Sequence, residues 1–207
     1  MADFNPTICI VDDDPSIRKS LSLMLNSAGY SVKTFSSARE FLESDLDIMY
    51  PGCLILDVKM PELGGFDLQE ELTSRKRTTP IIFITGHGDI PMGVQAMKKG
   101  AVDFLPKPFD DDQLLKAVKF ALLRDSQTRA DLIEKESIMK KLESLTAREY
   151  EVLRYLISGM LNKQIAFELK ISERTIKAHR KQIFNKMGTN SIAQLVRLTE
   201  KARIKPI

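Results

Sequence analysis

Long apolar runs are missing from this 207-residue chain. No stretch approaches the ~20 residues that cross a bilayer, and no signal pattern precedes Thr7-Ile8-Cys9-Ile10. The expectation is a cytoplasmic protein with no membrane partner. Cysteine is scarce: Cys9 and Cys53 are too few for a disulfide framework and lack metal-ligand spacing. Both fall in predicted strands, where a thiol is a small buried hydrophobe in a reducing compartment. Proline and glycine are absent between Pro108 and Gly159, so nothing there breaks a helix.

Charge is plentiful and unevenly placed. Residues 1–123 carry 13 Lys and Arg against 18 Asp and Glu, a net of −5. Residues 124–145 carry 5 of each, and residues 146–207 carry 13 against 5, a net of +8. An acidic front and a basic rear predict two domains, 1–123 and 146–207, joined by a helical linker over 124–145. The basic rear points to a polyanionic partner. The linker stripe, Leu115 through Leu142, fits a weak coiled coil or a solvated single helix.

The front reads as strands alternating with helices. Thr7–Val11 is a strand; Asp14 caps a helix that Pro15 opens and Gly29 stops. Ser31–Phe35 is a second strand, and Ser37 with Glu40 has capping-box spacing. Tyr50-Pro51-Gly52 bounds Cys53-Leu54-Ile55-Leu56, a non-alternating apolar run that reads as a buried parallel strand. Pro80–Thr85 and Val102–Leu105 complete five strands, which implies a doubly wound parallel α/β sheet.

Open α/β sheets place their chemistry at the carboxyl ends of strands. Those ends deliver Asp12 and Asp13, Asp57, Thr85 and Lys107. Taken alone, Asp57 could equally cap the following turn. Crowded carboxylates call for a hard cation such as Mg²⁺, while a hydroxyl and an ammonium suit phosphoryl oxygens.

In the rear, Thr146 and Glu149 repeat the capping box before Val152, Leu153 and Leu156. Asn162 is expected to cap a short helix. Lys170-Ile171 turns the chain, and Ser172 caps a helix to about Met187. Ile176, Ile183 and Met187 face its inside, and basic residues line its outside. Gly188 stops it, and Ser191 to Lys201 forms the last helix. This is a small all-α domain with a helix-turn-helix signature.

Asp12-Asp13, Asp57-Val58-Lys59-Met60-Pro61, Thr85-Gly86 and Lys107-Pro108 resemble the flavodoxin-like receiver domain of two-component response regulators. Leu145-Thr146-Ala147-Arg148-Glu149, Asn162-Lys163-Gln164-Ile165-Ala166 and Ser172 to His179 resemble the LuxR-type DNA-binding domain of the NarL/FixJ family. Thr85-Gly86-His87-Gly88-Asp89 is similar to the FixJ branch. The resemblance implies that Asp57 accepts a phosphoryl group from a sensor histidine kinase. It implies Mg²⁺ on Asp13, Asp57 and the Lys59 carbonyl, with Asp12 acting through water. It also implies Phe104 as the switch aromatic, a cis Lys107–Pro108 bond, and a homodimer when phosphorylated. On double-stranded DNA, Lys177, Ala178 and Lys181 fall where base edges are read. Arg174, Thr175 and His179 suit phosphate or sugar, and Arg180 suits either. RNA polymerase is a further candidate partner. His87 reads as a solvated loop residue before a modulator of phosphate lifetime.

Two other classes compete with a regulator. A phosphatase with an aspartyl-phosphate intermediate would share Asp57 and Mg²⁺, but no second domain carries an acid/base set, so the chain does not read as an enzyme. A scaffold that binds RNA would want aromatic platforms, and the basic helix offers only Phe184.

Overall fold

The computed structural model describes residues 6–44, 51–86 and 90–207. The loop containing His87 lies outside them. The chain divides into two compact units, Met1–Arg129 and Ala130–Ile207.

The first unit holds five strands, β1 Thr7–Val11, β2 Ser31–Phe35, β3 Pro51–Asp57, β4 Ile81–Thr85 and β5 Asp103–Pro106. They form one parallel sheet in the order β2-β1-β3-β4-β5. Between them run α1 Pro15–Ser27, α2 Ala38–Glu43, α3 Gly65–Ser74 and α4 Ile90–Lys98. α5, Asp111–Glu143, follows β5. Asp14 caps α1 by accepting from the Ser16 N–H, with Pro15 in the first turn, as its residue types dictate.

Two apolar layers sandwich the sheet. Ile8, Ile10 and Ile55 pack with Leu21, Leu25, Leu114 and Val118 on one face. Cys9, Val11, Leu54 and Leu56 pack with Phe41, Leu68 and Phe83 on the other. Central parallel strands are buried on both sides, which is why β3 shows no alternation. Cys9 and Cys53 sit in opposite layers and form no disulfide. Burial pushes the Cys9 thiol up to about 12 and the Cys53 thiol up as well, so neither is a ready nucleophile.

Three strands differ from expectation at their ends, β4 only in beginning at Ile81 rather than Pro80. β3 begins at Pro51, because proline is tolerated at the first strand position and Gly52 lies against Pro6. A Cβ on Gly52 would come 2.4 Å from the Pro6 Cβ. β5 sits one residue later than expected.

The division between the units falls within α5. From Ala130 on, Ile138 and Leu142 belong to the second core, with Val152, Leu156, Ile165, Ile183 and Leu195. The rear helices are α6 Ala147–Ile157, α7 Asn162–Glu168, α8 Glu173–Met187 and α9 Ile192–Lys201. Lys170 takes a left-handed φ of 52° in the tight turn between α7 and α8, and Gly188 closes α8 at φ 66°. Among the described residues, no helix is long and apolar enough to cross a membrane.

Candidate functional site

The parallel sheet brings the strand-end residues together. Asp57 ends β3, Thr85 ends β4, Asp12 follows β1, and Lys107 follows β5. The order β2-β1-β3 reverses the winding between β1 and β3, which opens a crevice at the carboxyl ends of those strands. Asp12 and Asp57 are 1% and 6% exposed. The Lys107 ammonium donates to both, at 2.8 Å to Asp12 Oδ2 and 2.7 Å to Asp57 Oδ1. Backbone amides hold the remaining oxygens: Lys59 N–H donates to Asp57 Oδ2 at 2.7 Å and Asp14 N–H to Asp12 Oδ1 at 2.8 Å.

One cation shared between two buried anions leaves a local excess of negative charge. Asp57 shows it. Burial lifts its carboxyl above the usual aspartate range and the Asp12 charge adds to that, while Lys107 and the Lys59 amide pull the other way without prevailing. Burial lowers the Lys107 value, but hydrogen bonds and charges from both carboxylates outweigh it and raise the ammonium.

Thr85 is 1% exposed, and its carbonyl accepts from the Lys107 N–H at 2.7 Å. Phe104 is half-buried and lies against Gly93, where a Cβ would stand 3.2 Å from its Cδ1. Asp13 and Lys59 are exposed beside the pocket. The Lys107–Pro108 bond is cis, as the resemblance implied. Among the described residues, no three His, Cys, Asp or Glu side chains form a metal-holding group. Asp12 and Asp57 converge on an ammonium instead. The donors at hand are nonetheless carboxylate and carbonyl oxygens, the set a small hard cation takes.

Three supporting residues escaped the sequence reading. Gly65 opens α3 so close to β3 that a Cβ would sit 2.4 Å from the Asp57 carbonyl oxygen. Gly93, inside α4, leaves room for Phe104. Arg18 donates to the Asp12 carbonyl at 2.6 Å. A glycine inside or at the start of a helix was the available signal for the first two; Arg18 gave none.

The second unit presents α8. Arg174, Thr175, Lys177, Ala178 and Lys181 are exposed, whereas His179 and Arg180 are half-buried. Ile176, Ile183 and Met187 are fully buried, so the expected inner and outer faces are both present. Thr175 also serves the helix start: its N–H donates to Ser172 Oγ at 3.1 Å. Arg180 donates to Asn162 Oδ1 at 2.8 Å and lies over the Phe184 ring, so its guanidinium is partly committed inside the domain. Asn162 therefore does not cap α7. Gln164 accepts from the Leu161 N–H at 2.8 Å instead, and the Asn162 side chain faces Arg180. Arg148 ties α6 to the end of α7 through the Leu169 carbonyl at 2.9 Å.

Residues 8–119 match the response regulator receiver domain, and residues 143–199 match the luxR family of bacterial regulatory proteins. The chain belongs to the response-regulator family. It joins a receiver domain to a LuxR-type DNA-binding domain and is a transcription regulator of the NarL/FixJ kind. It is 47% identical to the response regulator protein TodT of Pseudomonas putida over 203 residues, 98% of this chain and 89% of TodT. It is 40% identical to the transcriptional regulatory protein FixJ of Bradyrhizobium diazoefficiens over 195 residues, 94% and 95% of the two chains. The solved structure of the response regulator StyR is 46% identical, with a TM-score of 0.84 over 95% of this chain and 99% of that one.

Proposed function

We propose that a partner sensor histidine kinase phosphorylates this regulator on Asp57, and that the phosphorylated protein dimerises and binds specific duplex DNA in the cytoplasm. The observation that carries the reading is the single ammonium of Lys107 shared by Asp12 and Asp57 at 2.8 and 2.7 Å. Such a pocket holds a nucleophilic carboxylate without fully neutralising it. An Asp57 oxygen forms the new P–O bond as the P–N bond to the donor imidazole breaks. Lys107 and the Thr85 hydroxyl are the groups placed to receive the phosphoryl oxygens. Mg²⁺ would be held by Asp13, Asp57 and the Lys59 carbonyl, with Asp12 through water. It supplies positive charge against the phosphoryl oxygens. The domain assists only its own phosphorylation and dephosphorylation and turns over no other substrate.

Phosphorylation adds roughly −1.5 to −2 charges at neutral pH. Thr85 then moves toward the new group, and Phe104 turns inward behind it. The face this alters already carries exposed apolar residues on α4: Ile90 is 84% exposed, with Val94 and Met97 beside it. That face is the dimer contact of the active form. Two copies of α8 then meet a two-fold operator, with half-sites about one helical turn apart. Lys177, Ala178 and Lys181 read base edges, while Arg174, Thr175 and His179 hold phosphate or sugar. Arg180, anchored by Asn162, steadies the helix and can reach a phosphate.

The test mixes the full chain with acetyl phosphate and Mg²⁺. One acid-stable, base-labile phosphoryl group is expected, and none in Asp57→Asn. Full labelling of that variant would sink the assignment.

A further inference from the structure

A second polar cavity lies at the opposite end of the sheet from Asp57. It holds about 260 Å³, just under the ~300–1,000 Å³ of most small-molecule sites. Its walls come from the second half of α3, the segment entering β4, the turn after α4, and one side of α5. All of them belong to the first unit.

The lining is cationic. Arg77, Lys99 and Arg124 all border the cavity, and among the described residues no Asp or Glu does. Cations near the ends of α3 and α4 offset the helix dipoles, and that alone would account for Arg77 and Lys99. It does not account for Arg124, which comes from a third element, α5. Arg124 spends one N–H on the Gly100 carbonyl at a long 3.4 Å, out of the five its guanidinium carries. Among the described residues Lys99 meets the Glu70 carboxylate, which stands outside the lining, and lies over the Phe66 ring.

Thr73, Thr79 and Thr128 also line the cavity. Thr73 and Thr128 donate their hydroxyl hydrogens to the Gln69 and Arg124 carbonyls at 2.8 and 2.9 Å, which leaves their oxygens as acceptors. Gln69, 4% exposed, donates its amide N–H to the Lys99 carbonyl at 3.2 Å, which fixes the other end of the amide as an acceptor. That acceptor, Oε1, is itself buried, so Gln69 braces the wall from behind and ties α3 to the turn after α4. A wall lined by three cations and several hydroxyl-bearing side chains fits a compact anion that also carries hydroxyl groups.

We propose that this cavity binds a small hydroxylated phosphate ester. Its phosphate sits among Arg77, Lys99 and Arg124, and its hydroxyl-bearing body lies against the threonines. The site is independent of phosphorylation at Asp57, which sits at the other end of β3, and independent of the DNA-binding surface.

The experiment titrates ¹⁵N-labelled full-length protein with ribose 5-phosphate, inorganic phosphate, citrate and neutral ribose, following backbone amides. Ribose 5-phosphate is expected to shift the Thr79 and Gly100 amides saturably while those of Thr85 and Gly86 stay put. Ribose alone should shift neither. The doubly substituted Arg77→Gln, Arg124→Gln protein should bind about tenfold more weakly or less, since each substitution removes charge-assisted hydrogen bonds. Both substitutions remove exposed or half-exposed cations, and an unchanged melting temperature without ligand shows that the fold is intact. Equal binding of inorganic phosphate keeps the anion site and assigns it to free phosphate. Binding of citrate in preference to both phosphates overturns the phosphate assignment. Shifts confined to α8, or none at millimolar ligand, overturn the site.

Discussion

Each domain buries a carboxylate against a lysine, and the two pairs behave in opposite ways. In the receiver, Asp57 meets Lys107 at 2.7 Å; in the DNA-binding domain, Glu149 meets Lys186 at the same 2.7 Å. Both acids are 6% exposed. Yet burial drives Asp57 above the usual carboxylate range, while the Lys186 hydrogen bond leads in holding Glu149 below it. Loss of solvation is the leading cause at Asp57, and the count of partners adds to it. Glu149 has Lys186 to itself and accepts from the Thr146 N–H at 2.7 Å in the capping box of α6. Asp57 shares Lys107 with Asp12. A satisfied ion pair holds α6 to α8, whereas the receiver pair leaves Asp57 under-compensated, as the proposed phosphoacceptor role requires. Distance alone would not have told them apart.

The largest effect that can break this contrast is covalent. Acetyl phosphate and Mg²⁺ should label the wild type once, Asp57→Asn not at all, and Glu149→Gln as fully as the wild type. Labelling read by mass on the intact protein decides it. Labelling lost in Glu149→Gln would mean that the rear pair is not a purely structural one.

DNA binding comes next in size. Lys177 and Lys181 are exposed on α8, and Lys177 has Glu173 in loose reach at 3.8 Å. Alanine at each should cost about 1–3 kcal/mol where the side chain reads a base edge. A phosphate contact would weaken all sequences alike and lower the salt slope by about one unit. Titrations of operator and random duplex at several salt concentrations separate the two. A double variant that binds unchanged would move the recognition surface off α8.

What was legible beforehand follows the same line. Apolar runs and caps marked β1, β2 and β4 and the start of α1, because local pattern encodes them. The strand-end rule then gathered Asp12, Asp57, Thr85 and Lys107 without any knowledge of distances. Distant partners that lie away from the strand ends left no trace. Lys186 and Glu149 are 37 residues apart and Arg148 and the Leu169 carbonyl are 21 apart, and no periodicity links them. Asn162 misled for a physical reason: asparagine favours caps, but Arg180 competes for its side chain and Gln164 takes its place. Gly65 and Gly93 are needed for space, which only a packed neighbour reveals.

Stability sharpens the comparison at smaller scale. Glu149→Ala removes the acceptor for Lys186 and half the capping box, and should cost about 1–3 kcal/mol in urea unfolding. Asp57→Asn removes a charge that the fold holds at a disadvantage, so at neutral pH without divalent ions it should melt no lower than the wild type. Lys107→Ala does the reverse, stranding two buried carboxylates, and should cost about 1–3 kcal/mol. An Asp57→Asn protein clearly less stable than the wild type would mean that its pair is as settled as the rear one.

The smallest effect is the pH dependence, and its sign is the most specific. Asp57 has a folded value above its ordinary 3.8, so between the two the native state holds more protons than the unfolded chain. Its ionisation therefore costs stability at neutral pH, and that cost disappears as pH falls through the folded value. Glu149 has a folded value below its ordinary 4.5, so it contributes stability above 4.5 that is lost as pH falls toward the lowered value. Unfolding curves in chelator from neutral pH to mild acid should show the two substitutions diverging. The Asp57→Asn advantage over the wild type should shrink as the medium becomes acid, because the wild type then sheds its buried charge by protonation. The Glu149→Gln deficit should also shrink, but only below about 4.5, where the wild type loses its ion pair. One variant thus starts above the wild type and the other below it, and both approach it from opposite sides. If both start below and rise together, Asp57 is an ordinary salt-bridge acid, and the excess negative charge read from the shared Lys107 is absent.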